Sequence, residues 1–396
     1  MKHLKTIFYA LRGLFVVLAT AISLPLSAAD IRLEDMDSVE ISLLTCQPHD
    51  EVYSLYGHTA LRYHELWKDG IDAAFNYGVF DYNKPHFVLR FVFGLTDYEL
   101  GVFPYGLFEL EYRHFGSMVV EQVLNLTPQE KYQLRQALME NLKPENRVYR
   151  YNYFYNNCTT KARDIIEQNV NGTVEYAGRE DYTPSYRELV HQMTKQNPWS
   201  QFGNDFLLGV KSDQPTTRRQ QEFLPLNLLY DFDHATIVCQ DSVRPLVKER
   251  RIAVPAGVQV IQSGFPLTPR QCFGILLLIA CVLFLWEWRK QRAFVVWDVL
   301  LMLLTGVMGV VLFLMLFSQH PTVSLNLQIL LINPLPLLFL WPVVRRRPTR
   351  YWLVTALLAL LFLLGSLVQH YAEGIIVLAL CLLLQCCIHL KFKVVK

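Results

Sequence analysis

The sequence predicts an α+β exported domain followed by an all-α bundle of five transmembrane helices. Three observations predict it. The N-terminus reads as a secretion signal, short strand and helix patterns alternate as far as residue 248, and five apolar segments follow residue 272. The chain has 396 residues, 52% of them hydrophobic, and a net charge of +2. That balance gives no basic surface for nucleic acid. The expected division is 1–29 signal peptide, 30–248 periplasmic domain, 249–272 juxtamembrane linker and 273–396 transmembrane bundle.

Lys2, Lys5 and Arg12 precede an apolar run over 14–26, and Ser27-Ala28-Ala29 fits a cleavage site before Asp30. An uncleaved anchor is the alternative, and either one exports the domain behind it. In the exported part, residues 39–44, 52–63 and 73–80 read as strands rich in β-branched and aromatic residues. Residues 87–115 are unusually aromatic, from Phe87 to Phe115. Core packing is the common reason for such a run; a membrane-dipping lid that receives acyl chains is the other. Thr127 caps a helix to about residue 142, with Pro128 in its first turn. Residues 148–154 read as a strand that leads to a helix over 159–170, whose Ala162, Ile165, Ile166 and Val170 share one face. Residues 186–193 and 204–209 read as helices, and 249–269 as a short β or extended link.

The apolar segments are 273–288, 294–317, 323–344, 351–369 and 375–390; about 20 residues cross a bilayer. Arg289, Lys290 and Arg292 follow the first, Arg345, Arg346, Arg347 and Arg350 the third, and Lys391, Lys393 and Lys396 the fifth. Loops 318–322 and 370–374 carry no Lys or Arg. Basic loops stay cytoplasmic. The expected protein is therefore multi-pass in the inner membrane, with its front domain in the periplasm and its C-terminus in the cytoplasm. Asn326 and Asn333, seven apart on one face of the third span, are candidate lipid-headgroup contacts, level with His320, Gln369 and His370. Interhelical hydrogen bonding is their other reading. Asp298 is expected to pair with Arg292 or to snorkel.

Cys281, Cys381, Cys386 and Cys387 lie in the bundle as apolar fillers, and Cys272 at its border. The exported part keeps Cys46, Cys158 and Cys239, an odd number that leaves at least one thiol unpaired. A Cys46–Cys239 bridge and three free thiols are both compatible with that. Asn157 is a good N-cap, so Cys158 opens a helix, where the dipole and unpaired amides lower a thiol pKa. The Cys158 amide and a neighbour then suit an oxyanion. His58, after Gly57, is the candidate base. A buried cysteine and a core histidine are the bland alternative. His64, His86 and His114 have no metal-ligand spacing with His58, and no Cys-x-x-Cys occurs, so neither metal nor cofactor is expected.

His58 first, and Cys158 second behind an asparagine, resembles the permuted papain-like enzymes, the lecithin:retinol acyltransferase group among them. More closely, four stretches resemble the Lnb-type lipoprotein N-acyltransferases of Gram-negative bacteria. They are Leu43-Leu44-Thr45-Cys46, Tyr53-Ser54-Leu55-Tyr56-Gly57-His58-Thr59-Ala60, Phe75-Asn76-Tyr77-Gly78-Val79-Phe80-Asp81 and Tyr151-Asn152-Tyr153-Phe154-Tyr155-Asn156-Asn157-Cys158. The resemblance spans roughly residues 38–237. It implies a permuted papain-like domain that moves an acyl chain from a phospholipid donor, through a Cys158 thioester, to the α-amine of a diacylated lipoprotein among the membrane lipids. The lecithin:retinol pattern of a second histidine and Asn-Cys-Glu-His is missing here, since Gly70 and Thr159-Thr160 stand at those places. Asn76 is therefore the candidate for orienting His58, with Asp81 and Tyr77 behind it. Asn157, Tyr56 and Tyr77 are expected to contact substrate. A membrane-anchored cysteine hydrolase (peptidoglycan amidase or peptidase, or phospholipase) and a non-enzymatic receptor or assembly factor remain the alternatives.

Overall fold

The computed structural model describes residues 31–49, 54–81, 85–240, 242–259 and 264–392. The signal sequence expected at 1–29 lies outside the described residues. Among the described residues ten strands run in chain order: β1 Val39–Cys46, β2 His58–Glu65, β3 Asp72–Val79, β4 Asp97–Pro104, β5 Val119–Leu124, β6 Val148–Arg150, β7 Thr173–Tyr176, β8 Ala235–Cys239, β9 Ser242–Pro245 and β10 Val247–Val254. Seven form one antiparallel sheet in the order β10-β5-β1-β2-β3-β4-β6, and β7-β8-β9 form a second.

Successive strand residues point to opposite faces, and both faces of the large sheet are apolar. Leu43, Leu61 and Phe75 stand in register across β1–β3 and face one cluster. Leu134, Leu138, Ala162, Ile165 and Ile166 cover it from the Pro128–Leu142 and Cys158–Glu167 helices. Leu44, Ala60 and Ala74 face the other way, under Tyr105, Phe108 and Tyr112 of the Tyr105–Phe115 helix. Small residues on the strands leave room for the large rings. Each such leucine or phenylalanine is worth about 1.5–3 kcal/mol when fully buried. Thr127 caps the Pro128–Leu142 helix as expected, with Glu130 completing a capping box.

Several sequence expectations change. Residues 87–115 are three elements, the Phe87–Val92 helix, β4 and the Tyr105–Phe115 helix. Tyr98, Tyr105, Phe108 and Tyr112 are core, whereas Leu89 and Phe91 are exposed. The strand expected over 148–154 ends at Arg150, and the helix expected at 204–209 is Pro198–Leu207. The linker expected at 249–272 begins inside the sheet, because β10 pairs with β5 as an edge strand.

Among the described residues, three apolar helices are long enough to cross a membrane: Pro269–Lys290, Val295–Met315 and the combined segment Leu327–Val344. Tyr351–Gly365 and Ile375–Lys391 are apolar but shorter. The third segment is not one continuous helix. A 3₁₀ turn over Leu327–Leu330 gives way to an α-helix at Leu335–Val344. Between them stand Asn333 and Pro334; proline lacks the amide that a continuous helix needs. The shared helical face expected for Asn326 and Asn333 is therefore broken. Asn333 accepts from Leu335 N at 3.1 Å and donates to Leu330 O at 3.2 Å, closing the break. Asp298 does not pair with Arg292. Its Oδ1 accepts from Gln385 at 2.7 Å and lies 2.9 Å from His389 Nε2.

Buried amides join the front domain to the bundle. Asn326 donates to Phe206 O at 2.8 Å, Gln328 to Asp205 O at 2.9 Å and Gln369 to Leu208 O at 3.1 Å. The Gly209 and Val210 amides donate to Thr322 O and Leu325 O, both at 2.8 Å. A Cβ at Gly209 would lie 2.1 Å from Leu325 O, so the two backbones meet there without a side chain between them. Asn326 thus serves the joint between the two parts, where the sequence suggested a headgroup contact.

Candidate active site

A tight turn, with Gly57 N donating to Ser54 O at 2.9 Å, delivers His58 as the first residue of β2, opposite Cys46. Gly57 has φ +77, and a Cβ there would sit 2.5 Å from Cys46 O. Only glycine meets both conditions. Gly57→Ala is expected to cost about 1–3 kcal/mol from the backbone conformation alone, with the clash added, and to displace His58. A fall in the Tm of the purified full-length protein, together with slower alkylation of Cys158, checks this. An unchanged Tm and rate would refute it.

Cys158 opens its helix as expected. Asn157 is extended, and its Oδ1 accepts from Thr159 N at 3.0 Å and Thr160 N at 2.9 Å. Its Nδ2 donates to Tyr153 O at 3.1 Å and Phe223 O at 2.8 Å. Both amide hydrogens and both oxygen lone pairs are used by the fold. Asn157 therefore positions Cys158 and is not the substrate contact expected from sequence. The cap takes the amides of the second and third helical residues, which leaves the Cys158 amide as the first-turn donor open to an oxyanion.

The Cys158–Glu167 helix packs on β2 and β3. Thr59 Oγ1 and Thr159 Oγ1 are 3.1 Å apart, and both threonines are buried. The residue after the histidine is thereby fastened to the residue after the cysteine, over 100 positions of sequence. The β3–β4 pairing is irregular between Asn76 and Val79. Within that irregularity Gly78, at φ +94, places its missing Cβ 3.7 Å from Cys158 Cβ and 3.9 Å from Tyr149 Oη. Glycine keeps the space beside the sulfur open.

Half-buried His58 and Cys158 lie close enough for each to favour the other's charged form. His58 Nε2 lies 3.0 Å from Asn76 Oδ1. An amide oxygen only accepts, so Nε2 donates, and Nδ1 is the nitrogen left for the thiol proton. Asn76 Nδ2 reaches Ala74 O at 3.4 Å, which keeps the oxygen turned to the ring. Burial raises the Cys158 pKa most strongly, but the His58 charge and hydrogen bond, the Thr59 amide and the Thr159 hydroxyl overcome it and leave the thiol below its ordinary value. Burial likewise opposes charge on His58, yet the Cys158 thiolate and the Asn76 amide raise it above its ordinary value. The two shifts describe one thiolate–imidazolium pair. Asn76→Ala is expected to slow thiol alkylation and acyl-adduct formation by about a hundredfold at most, through a misplaced ring. It should also move the alkylation inflection towards ordinary thiol pH; a slower reaction with an unmoved inflection would contradict a positioning role.

The remaining candidates fall elsewhere. Alternation along β3 sends Tyr77 away from Asn76 into the core, where it is 3% exposed and its hydroxyl accepts from Asn141 at 2.8 Å. Tyr56 adjoins Gly57, but its hydroxyl accepts from Asn204 at 2.9 Å and its ring stands edge-on to Tyr153. Both hydroxyls belong to the scaffold rather than to a substrate surface. Cys46 and Cys239 are free thiols in different sheets, so the bridge between them does not form. Among the described residues no group of His, Cys, Asp or Glu is arranged to hold a metal. Sequence reasoning missed Thr59, Thr159 and Gly78; the only signal for the threonines was that each directly follows a candidate residue.

Residues 29–192 match the family model described as the Lnb N-terminal periplasmic domain, and residues 260–396 match the Lnb transmembrane domain. No curated protein and no solved structure matches the chain.

Proposed function

The chain belongs to the Lnb family, a periplasmic domain carried on a transmembrane domain, and from that premise we propose that it is a lipoprotein N-acyltransferase. The observation that carries the proposal is the Cys158–His58–Asn76 line, with the thiol shifted down and the imidazole up. The Cys158 thiolate attacks a phospholipid ester carbonyl; a C–S bond forms, the ester C–O bond breaks, and the lysophospholipid leaves with the proton from His58. The α-amine of a diacylglyceryl-cysteine lipoprotein then attacks the thioester. A C–N bond forms, the C–S bond breaks, and the amine's proton returns to His58. Asn76 holds the ring, and the Cys158 amide faces the oxyanion of each step.

In this reading the chain is cut at 1–29, residues 30–248 form a permuted papain-like catalytic domain, and 273–396 cross the inner membrane five times with the C-terminus in the cytoplasm. The alternation of basic loops supports that orientation. A lipid-anchored acceptor and a lipid donor are both confined to the outer leaflet, which gives the anchor its purpose.

The test supplies purified full-length protein with phospholipid, with and without a synthetic diacylated lipopeptide. Equal amounts of triacylated lipopeptide and lysophospholipid are expected. Free fatty acid released at the same rate whether or not the lipopeptide is present would make water the acceptor and the protein a hydrolase.

A further inference from the structure

Four half-buried or buried rings lead away from the thiol to an exposed apolar helix. Tyr151 lies close enough to feel the charge of Cys158. It stacks on Tyr98 at 4.0 Å between centroids, Tyr98 stacks on Phe80 at 4.8 Å, and Phe80 stacks on Phe87 at 5.7 Å. Phe87 opens the Phe87–Val92 helix, whose Leu89 and Phe91 are 50% and 40% exposed. This helix is not at a random height. Gln319 N donates to Phe93 O at 3.0 Å, His320 Nε2 lies 3.3 Å from Phe91 O, and Gly94 packs on Gln319. Gln319 and His320 stand in the short connection between two membrane-length helices, a connection without Lys or Arg. The exposed leucine and phenylalanine therefore sit where a bilayer surface would meet the protein.

We propose that the Phe87–Val92 helix seats in the outer leaflet and that Phe87, Phe80, Tyr98 and Tyr151 form the bed along which a phospholipid acyl chain lies, its carbonyl end at Cys158 and its methyl end at the helix. The occupant is a fatty acyl chain because an unbroken row of stacked aromatic rings runs from the membrane-level helix to the neighbourhood of Cys158, and a chain lying along that row meets apolar ring atoms over its length. Gly78, whose missing Cβ would lie 3.9 Å from the Tyr98 ring and 3.7 Å from Cys158 Cβ, leaves the thiol end open. This rests on the acyl-transfer reading for its purpose, but occupancy of the bed does not need turnover. Contact with the rings makes affinity climb by about fourfold per methylene while the chain still lies on the bed.

The test uses the full-length Cys158→Ser protein in phosphatidylcholine vesicles. The vesicles carry phosphatidylcholine with a photoactivatable diazirine either near the acyl carbonyl or at the chain terminus. Peptide mapping is expected to place the near-carbonyl label on Tyr98 or Tyr151 and the terminal label on the peptide that contains Phe87 and Phe91. Adding Leu89→Glu and Phe91→Glu should cut both labels at least tenfold and leave labelling of the membrane helices unchanged. Label confined to the membrane helices, or the same residues labelled by both probes, would overturn the bed. Labelling as expected alongside wild-type protein that transfers no acyl group would leave the bed standing and count against the acyltransferase reading. Active wild-type protein with unlabelled rings would do the reverse.

Discussion

Cys158→Ser is expected to abolish acyl transfer, by about 10³-fold or more. The environment at this position is arranged for a thiolate. The His58 charge, the Thr59 amide and the Thr159 hydroxyl all favour an anion there. A serine hydroxyl in the same place stays protonated, so the groups that stabilise the anion have nothing to act on. The fold should survive, because Asn157 and the Thr59–Thr159 bond hold the helix start without the sulfur. In cells that depend on this protein alone, mass spectrometry of a lipoprotein's N-terminal peptide should show diacylated peptide only. A hydroxylamine-labile adduct should form on the wild-type thiol and be missing from the variant. Cys46→Ser is the matched control: burial pushes the Cys46 thiol far up, so it is not a competing nucleophile. Undiminished triacylated peptide with Cys158→Ser would end the proposed mechanism.

The second large effect is His58→Ala, read by the pH dependence of Cys158 alkylation. In the wild type, His58 and its hydrogen bond are what overcome the burial penalty on the thiol. Without them burial is opposed only by weaker partners, and the thiol pKa moves back up through its ordinary value. Each unit of that movement costs tenfold in thiolate at a pH below it. Acyl transfer should fall further than alkylation, because the leaving lysophospholipid also loses its proton donor. The sign of the wild-type profile comes from the two shifts. The Cys158 pKa is lowered, so the thiolate appears at lower pH than for a free cysteine. The His58 pKa is raised, so the imidazolium persists to higher pH than for a free histidine. Activity should be bell-shaped between the two, both limbs belonging to the pair. An alkylation profile that stays in place in His58→Ala would show that the imidazole does not hold the thiolate.

The features legible in the sequence obey local rules. Asn157 before Cys158 signals a helix start because an N-cap is a short-range bond, and Thr127-Pro128 signals another for the same reason. Gly57 before His58 was readable as a point of close approach, and the structure supplies the neighbour, the Cys46 carbonyl. Asn76 was readable only through the family pattern, since nothing local ties an asparagine in one strand to a histidine in another. The features that stayed hidden depend on the fold as a whole. Asn157 looked like a substrate contact because its donors to Tyr153 and Phe223 can be counted only once the chain has returned past it. Tyr77 sits in a motif beside Asn76, yet strand alternation sends the two to opposite faces. Helical spacing put Asn326 and Asn333 on one face, and Pro334 broke the helix that the spacing assumed. The aromatic run mixed two uses, core rings and exposed ones, that composition alone does not separate.

The joint between the two halves also has a bearing on biogenesis. Residues 205–210 leave the ribosome well before residues 322–369 are made, yet among the described residues the Phe206 carbonyl takes its hydrogen bonds from Asn326 and Gln328 of that later stretch, while the Asp205 and Leu208 carbonyls, which Arg187 also reaches, each gain a second donor there. The front domain must therefore wait, with the Phe206 carbonyl lacking those two donors, until the later segments stand beside it. A version released by cutting before the first membrane helix would be missing part of its own floor, and should be a poorer soluble reagent than its separate family match suggests.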